Sequence, residues 1–137
     1  MKFELATPTR LVVSSEVDEV VAPGAEGYFG VWPGHAPFLT TLGAGEVTYR
    51  RGRNEQHLAV VGGFAEVTAE RVIILAEHAE RPEEIDRERA ERARQRAEQR
   101  LAGKSPTGRP EEIDYARAAA ALARALARLQ VAGRAAR

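Results

Sequence analysis

Residues 71–90 read RVIILAEHAERPEEIDRERA, and the chain changes character in the middle of this stretch. Val72-Ile73-Ile74-Leu75 is apolar at every position, the pattern of a central strand covered on both faces. Nine residues on, Arg81-Pro82-Glu83-Glu84-Ile85-Asp86 puts a proline near the first helical position and acids in the first turn, where the helix dipole favours negative charge. A strand-forming unit over residues 1–80 followed by a helical unit over residues 81–137 is therefore expected.

Upstream of the boundary, residues 2–6, 11–21, 46–51, 57–61, 64–67 and 71–76 are short runs rich in Val, Ile, Phe and Thr, separated by Gly, Pro and Asn. Residues 46–50 alternate apolar and polar like a strand with one wet face. Gly62-Gly63, inside a strand run, marks a bulge or a close backbone approach. Downstream, Arg109-Pro110-Glu111-Glu112-Ile113-Asp114 repeats the first helix start 28 residues later, and between 81–90 and 109–118 only two of ten positions differ. The breaker-rich segment 103–108 joins two helices that fold back on each other. The expected fold is α+β: an antiparallel β-sandwich, then an antiparallel two-helix hairpin.

On the first helix Ala90, Ala93, Ala97 and Leu101 form one stripe, mostly of methyl groups, so burial is thin and docking only modestly favoured. The second helix is expected to carry Leu122, Leu126 and Leu129 on one side and Arg117, Arg124 and Arg128 on the other.

The 137 residues hold 20 basic and 20 acidic side chains, a balance that conceals a net −5 over residues 1–80 and +5 over residues 81–137. There is no cysteine, which excludes disulfides, thiolate zinc sites and a cysteine nucleophile and fits a reduced compartment. The opening Met1-Lys2-Phe3-Glu4-Leu5-Ala6 has an acid where a signal peptide has its apolar core, and no window reaches the ~20 apolar residues of a membrane span.

Motifs for catalysis are missing. His35, His57 and His78 lack metal-ligand spacing, so no metal site is expected, and there is no nucleophile elbow, phosphate-binding glycine loop or dinucleotide fingerprint. Glu83-Glu84 and Glu111-Glu112 read as complements to helix dipoles, not as an acid/base pair. A basic nucleic-acid-binding hairpin is the alternative function, but acids interleave with the arginines of the first helix and aromatics are scarce, so no nucleic-acid partner is expected.

The arginines carry the remaining signal. Asp86, Arg89, Arg96 and Arg100 fall within an arc of about 80 degrees at roughly 100 degrees per residue, with Arg124 and Arg128 placed to face them if the hairpin closes. Converging guanidiniums suit phosphate oxygens. The same residues also read as solvated Glu–Arg pairs, and composition alone favours that plainer account.

Residues 26–38, EGYFGVWPGHAPF, followed by Gly62-Gly63-Phe64-Ala65-Glu66-Val67 and Val72-Ile73-Ile74-Leu75-Ala76, closely resemble the epsilon subunit of bacterial and chloroplast F-type ATP synthases, over essentially the whole chain. The resemblance implies a non-catalytic regulatory subunit of the central stalk, peripheral on the cytoplasmic face of the bacterial plasma membrane. Its sandwich would bind the gamma subunit and the rotor-ring subunits, with Glu26 and His35 as rotor-interface residues; His35 reads equally well as a turn residue satisfying backbone groups.

In this family the hairpin is mobile, and its extended form reaches the beta and alpha subunits and restrains ATP hydrolysis. Arg117, Arg124 and Arg128 are the corresponding inhibitory donors. Some members also bind ATP in the folded hairpin through I-D-x-x-R-A. Ile85, Asp86, Arg89 and Ala90 match that motif here, with Glu80, Arg96, Arg124 and Arg128 at further nucleotide-contacting positions. ATP would then be a regulatory ligand, and no cofactor would be required. Ile113-Asp114-Tyr115-Ala116-Arg117-Ala118 satisfies the same motif at the second helix start, so the six residues alone do not identify a ligand site.

Overall fold

In the computed structural model, which describes residues 1–135, the chain crosses between two five-stranded sheets and then forms a two-helix hairpin whose second helix packs on one of them. The strands are β1 (Lys2–Ala6), β2 (Leu11–Glu16), β3 (Glu19–Gly24), β4 (Gly27–Val31), β5 (Phe38–Thr41), β6 (Gly45–Arg51), β7 (Asn54–Val61), β8 (Phe64–Val67), β9 (Arg71–Leu75) and β10 (His78–Glu80). The sheet orders are β2-β1-β9-β8-β5 and β10-β7-β6-β3-β4. The expected sandwich and hairpin are both present. Pairing is antiparallel except where β1 lies parallel to β9. That pair sets Phe3 against Val72 and Leu5 against Ile74, four fully buried side chains on one inward face. Val20, Val31, Val47, Leu58 and Val60 of the second sheet meet them across the core.

Several expectations need correction. Residues 11–21 are two strands, because β2 pairs in the first sheet and β3 in the second, so the chain turns the corner between sheets at Val17-Asp18. The strand runs read from the sequence omit the segment from Glu26 to His35, yet its middle is β4, paired with β3. β9 is central as expected, yet Leu75 on its outer face is exposed and Ile73 only half-buried. Conversely, the polar face of β6 is not wet: α2 covers it.

The helices are α1 (Arg87–Leu101) and α2 (Tyr115–Ala132). Pro82 does not start α1. Pro82–Glu84 and Pro110–Glu112 are single 3-10 turns, followed by an extended isoleucine and then by Asp86 or Asp114. Each aspartate accepts the N–H of the arginine three residues on, Arg89 or Arg117, at 3.0 Å. The Arg87 guanidinium donates to the Ala132 carbonyl at 2.9 Å, joining the start of α1 to the end of α2 and making the pair antiparallel.

The expected leucine face of α2 is not what it buries. Ala118, Ala125, Ala127, Val131 and Ala132 are buried, while Leu126 is 47% exposed and Leu122 and Leu129 are half-buried. Methyl groups let α1 and the sheet approach the helix backbone closely on two sides, which turns the longer leucines outward. Ala90 and Ala97 of α1 are buried as expected, but Leu101 is exposed because the helix ends there.

Gly63 is the close approach that its glycine pair implies. Its φ is +102°, and an added Cβ would lie 1.9 Å from the Leu75 carbonyl oxygen. Gly63→Ala should cost more than ~2 kcal/mol and lower the melting temperature by at least ~5 °C. Gly52→Ala, at φ +60° with open space around it, should cost about 1 kcal/mol. Thermal unfolding of the two variants side by side checks this.

Candidate functional site

The hairpin is positioned by a row of side chains crossing three strands. Glu80 on β10 pairs with Ala59 on β7, and Ala59 pairs with Glu46 on β6, so all three point to the face under α2. At one end Arg128 Nε donates to Glu80 Oε1 at 2.5 Å. At the other, Glu46, only 6% exposed, accepts from Arg134 Nε at 3.2 Å, Arg134 Nη2 at 3.3 Å and Gln130 Nε2 at 3.3 Å. Its Oε2 also lies 3.4 Å from His57 Nδ1, which is 3.2 Å from Thr48 Oγ1. Between the two glutamates the small Ala59 leaves room for the helix.

The start of the hairpin is clamped separately. Arg10 donates to the Ala79 carbonyl and to Glu84, Arg81 N–H donates to Glu84 Oε1, and the Arg81 guanidinium reaches Tyr49 Oη and the Val12 carbonyl. The hydrogen bond from Arg10, then that from the Arg81 N–H, holds the Glu84 carboxyl below the usual glutamate range. A depressed carboxylate pKa means that this contribution is complete above the ordinary value and fades as pH falls through the lowered one.

Between α1 and α2 lies a cleft of about 770 Å³ with alanines on its floor and charged groups on its rim. Arg89, Arg96, Arg100, Arg117, Arg124 and Arg128 all line it, with Glu80, Glu84, Glu112, Asp86 and Asp114. The acids are already engaged: Glu80 with Arg128, Glu84 with Arg10, Glu112 with Thr107 and Arg109, and the two aspartates with helix N–H groups. Among the described residues, the guanidiniums of Arg89, Arg96, Arg100, Arg117 and Arg124 have no hydrogen-bonding or ionic partner. Five such donors facing one concave space can bind an anion with several oxygens, and the solvated Glu–Arg pairing considered above does not describe them. The one α1 arginine that does pair this way is Arg94, with Glu91 and Glu98, and it does not line the cleft.

Of the sequence-derived nucleotide set, Glu80, Asp86, Arg89, Ala90, Arg96, Arg124 and Arg128 line this one cleft; Ile85 does not. Arg117, Arg124 and Arg128, read as inhibitory donors, face α1 in this folded arrangement. Glu26 and His35 are not brought together. Glu26 is exposed in the turn before β4, whereas His35 follows its far end, with Nδ1 2.7 Å from the Ala36 carbonyl and its ring 5.4 Å from that of Phe38. Sequence reasoning missed Glu46, His57, Gln130 and Arg134. No residue pattern singled them out, because Glu46 stands at a polar position of an alternating strand, where exposure to water is the ordinary reading.

Residues 1–82 match the family described as the ATP synthase delta/epsilon chain beta-sandwich domain, and residues 83–133 match its long alpha-helix domain. An ATP synthase epsilon chain of Geobacter metallireducens is 51% identical over all 137 residues, 100% of this chain and 96% of that one. An ATP synthase epsilon chain 2 of Syntrophotalea carbinolica is 48% identical over the same spans. A chain in the cryo-EM structure of the Euglena gracilis mitochondrial ATP synthase, OSCP/F1/c-ring, superposes with a TM-score of 0.78 at 26% identity, covering 95% of this chain and 79% of that one. A chain in the Tetrahymena thermophila central stalk/c-ring structure shares the fold, with a TM-score of 0.53 at 17% identity over 62% of this chain and 69% of that one.

Glu46→Ala removes the acceptor of three hydrogen bonds, one from Gln130 in α2 and two from Arg134 just beyond it. At ~1–2 kcal/mol net, amide exchange in α1 and α2 should accelerate by roughly tenfold while β1 and β9 keep their protection. Hydrogen exchange resolved by mass spectrometry measures both at once.

Proposed function

The chain belongs to the ATP synthase delta/epsilon family, and from that premise we propose that it is a non-catalytic central-stalk subunit whose hairpin is a regulator held folded by ATP. The sandwich would bind the gamma subunit and the rotor ring and transmit rotation. The hairpin, once released, would reach the beta and alpha subunits and restrain ATP hydrolysis with Arg117, Arg124 and Arg128. The assembly would place the chain on the cytoplasmic face of the bacterial plasma membrane as a peripheral component. No helix among the described residues is long and apolar enough to cross the membrane itself.

The observation that carries the ligand reading is the set of unpaired guanidiniums shared between α1 and α2. Arg89 and Arg96 come from one helix and Arg124 from the other, so the set exists only while the hairpin is closed. A polyphosphate bridging them binds the folded state alone and stabilises it by RT ln(1 + [L]/Kd), ~2.7 kcal/mol at a hundredfold excess. The α1–α2 seam is built on Ala90, Ala97, Ala118 and Ala125, each of which contributes far less than the ~1.5–3 kcal/mol of a buried leucine. Ligand energy of that size decides such an equilibrium. High ATP would hold the hairpin on the sandwich; low ATP would let it extend and suppress wasteful hydrolysis.

Calorimetric titration of the intact chain with ATP should give saturable binding. Arg89→Ala and Arg128→Ala should each weaken it by roughly tenfold, the loss of one hydrogen bond to a charged group at ~1.5 kcal/mol. Absence of binding at millimolar ATP would refute the ligand reading and leave family membership untouched.

A further inference from the structure

The 28-residue repeat does not stop at the helix starts. Beyond them, comparing residues 91–101 with 119–129, the two helices agree at Ala93/Ala121, Arg96/Arg124, Ala97/Ala125, Arg100/Arg128 and Leu101/Leu129 and differ at the other six positions. The matches lie at i, i+3, i+4, i+7 and i+8, a single helical face. Four of these five pairs line the cleft, and none of the six differing pairs does. The geometry repeats as well. Ala90 and Ala118 are each 4% exposed, Ala97 and Ala125 each 1%, and the caps at Asp86 and Asp114 both measure 3.0 Å.

Two antiparallel helices presenting the same face to each other make a cleft with an approximate two-fold axis. Arg96 and Arg124, equivalent by the repeat, sit near its middle. One end, beside the start of α1, has Arg89 and Arg128; the other, beside the start of α2, has the equivalent Arg117 and Arg100. The ends differ in one respect. Glu80, which occupies Arg128, has Gly108 as its counterpart 28 residues on, so Arg100 keeps an unpaired guanidinium where Arg128 does not. The acids of the second end are spent locally, Glu112 on Thr107 and Arg109, Asp114 on the Arg117 N–H.

We propose that the end of the cleft beside α2 is a second oligophosphate subsite, built from Arg100 and Arg117 and sharing Arg96 and Arg124 with the first. This rests on the reading of the cleft as a phosphate site, but on different residues. The subsite recognises phosphate oxygens by charge and planar hydrogen bonding, with no acid at the position that Glu80 holds at the first end. Because the central arginines are common to both ends, a short oligophosphate occupies one end or the other. A chain long enough to follow the ~16 Å from Arg89 to Arg100 could engage both.

The test is calorimetric titration of the full chain with sodium tripolyphosphate, using wild type, Arg89→Ala/Arg128→Ala, Arg100→Ala/Arg117→Ala and the quadruple variant. Each double variant should bind within about fivefold of wild type, and the quadruple variant at least tenfold more weakly than either. Alanine is a better helix former than arginine, so wild-type far-UV circular dichroism is expected throughout. A double variant that departs from it is replaced by glutamine at the same positions, Arg89→Gln/Arg128→Gln or Arg100→Gln/Arg117→Gln. If Arg89→Ala/Arg128→Ala is already as weak as the quadruple variant, or wild type does not bind tripolyphosphate, the second subsite is refuted. Titration with ATP separates the two proposals. ATP binding by wild type with no tripolyphosphate binding by Arg89→Ala/Arg128→Ala refutes the second subsite alone. Tripolyphosphate binding by that variant with no ATP binding by wild type refutes the nucleotide reading alone.

Discussion

The placement of the whole hairpin depends on two glutamates in register across three strands. Glu80 and Glu46 flank Ala59 on the outer face of the second sheet, and α2 lies over that row with Arg128 at one end and Gln130 and Arg134 at the other. The intervening alanine brings the helix down onto the sheet, where Ala127 and Val131 are buried. Specific charge-assisted bonds thus set the position of an element that has little apolar surface to bury. Such contacts fix one geometry yet exchange readily for water when the helix lifts, because Arg128 and Arg134 remain partly exposed.

The same choice of small residues produces the cleft. With alanines on its floor, the α1–α2 seam brings two helices close while their arginines stand along its rim unsatisfied. Larger side chains would put more energy into docking than these alanines do. A linker clamped by Arg10 and Arg81 keeps the start of the hairpin on the sandwich, so any opening begins beyond the 3-10 turn at Pro82–Glu84. Family membership gives this arrangement its setting, a sandwich and helical pair that recur in ATP synthase delta/epsilon chains.

Much of this was legible in the primary structure. The shift from Val and Ile to Ala and Arg near Arg81, the paired Pro-Glu-Glu starts and the glycine pair at 62–63 each have one dominant physical meaning. The arginine face of α1 followed from periodicity, and its counterparts on α2 from periodicity and the family resemblance. What stayed hidden depended on register and on competition between neighbours. Glu46 reads as the wet side of an alternating strand until α2 is laid over it. Leu122, Leu126 and Leu129 read as a core face until the alanines on the other sides of the helix are seen to permit closer contact. β4 carries two glycines, and β5 and β10, at four and three residues, are too short to stand out.

The proposed regulation makes one central claim: closure of the polar-latched hairpin is an equilibrium, and ATP moves it. Spin labels placed on exposed positions of β7 and the outer face of α2 report the distance between sandwich and hairpin directly by pulsed electron resonance. The account predicts two distance populations in the ligand-free chain, with the longer one vanishing at saturating ATP. A single short distance with and without ATP would contradict it.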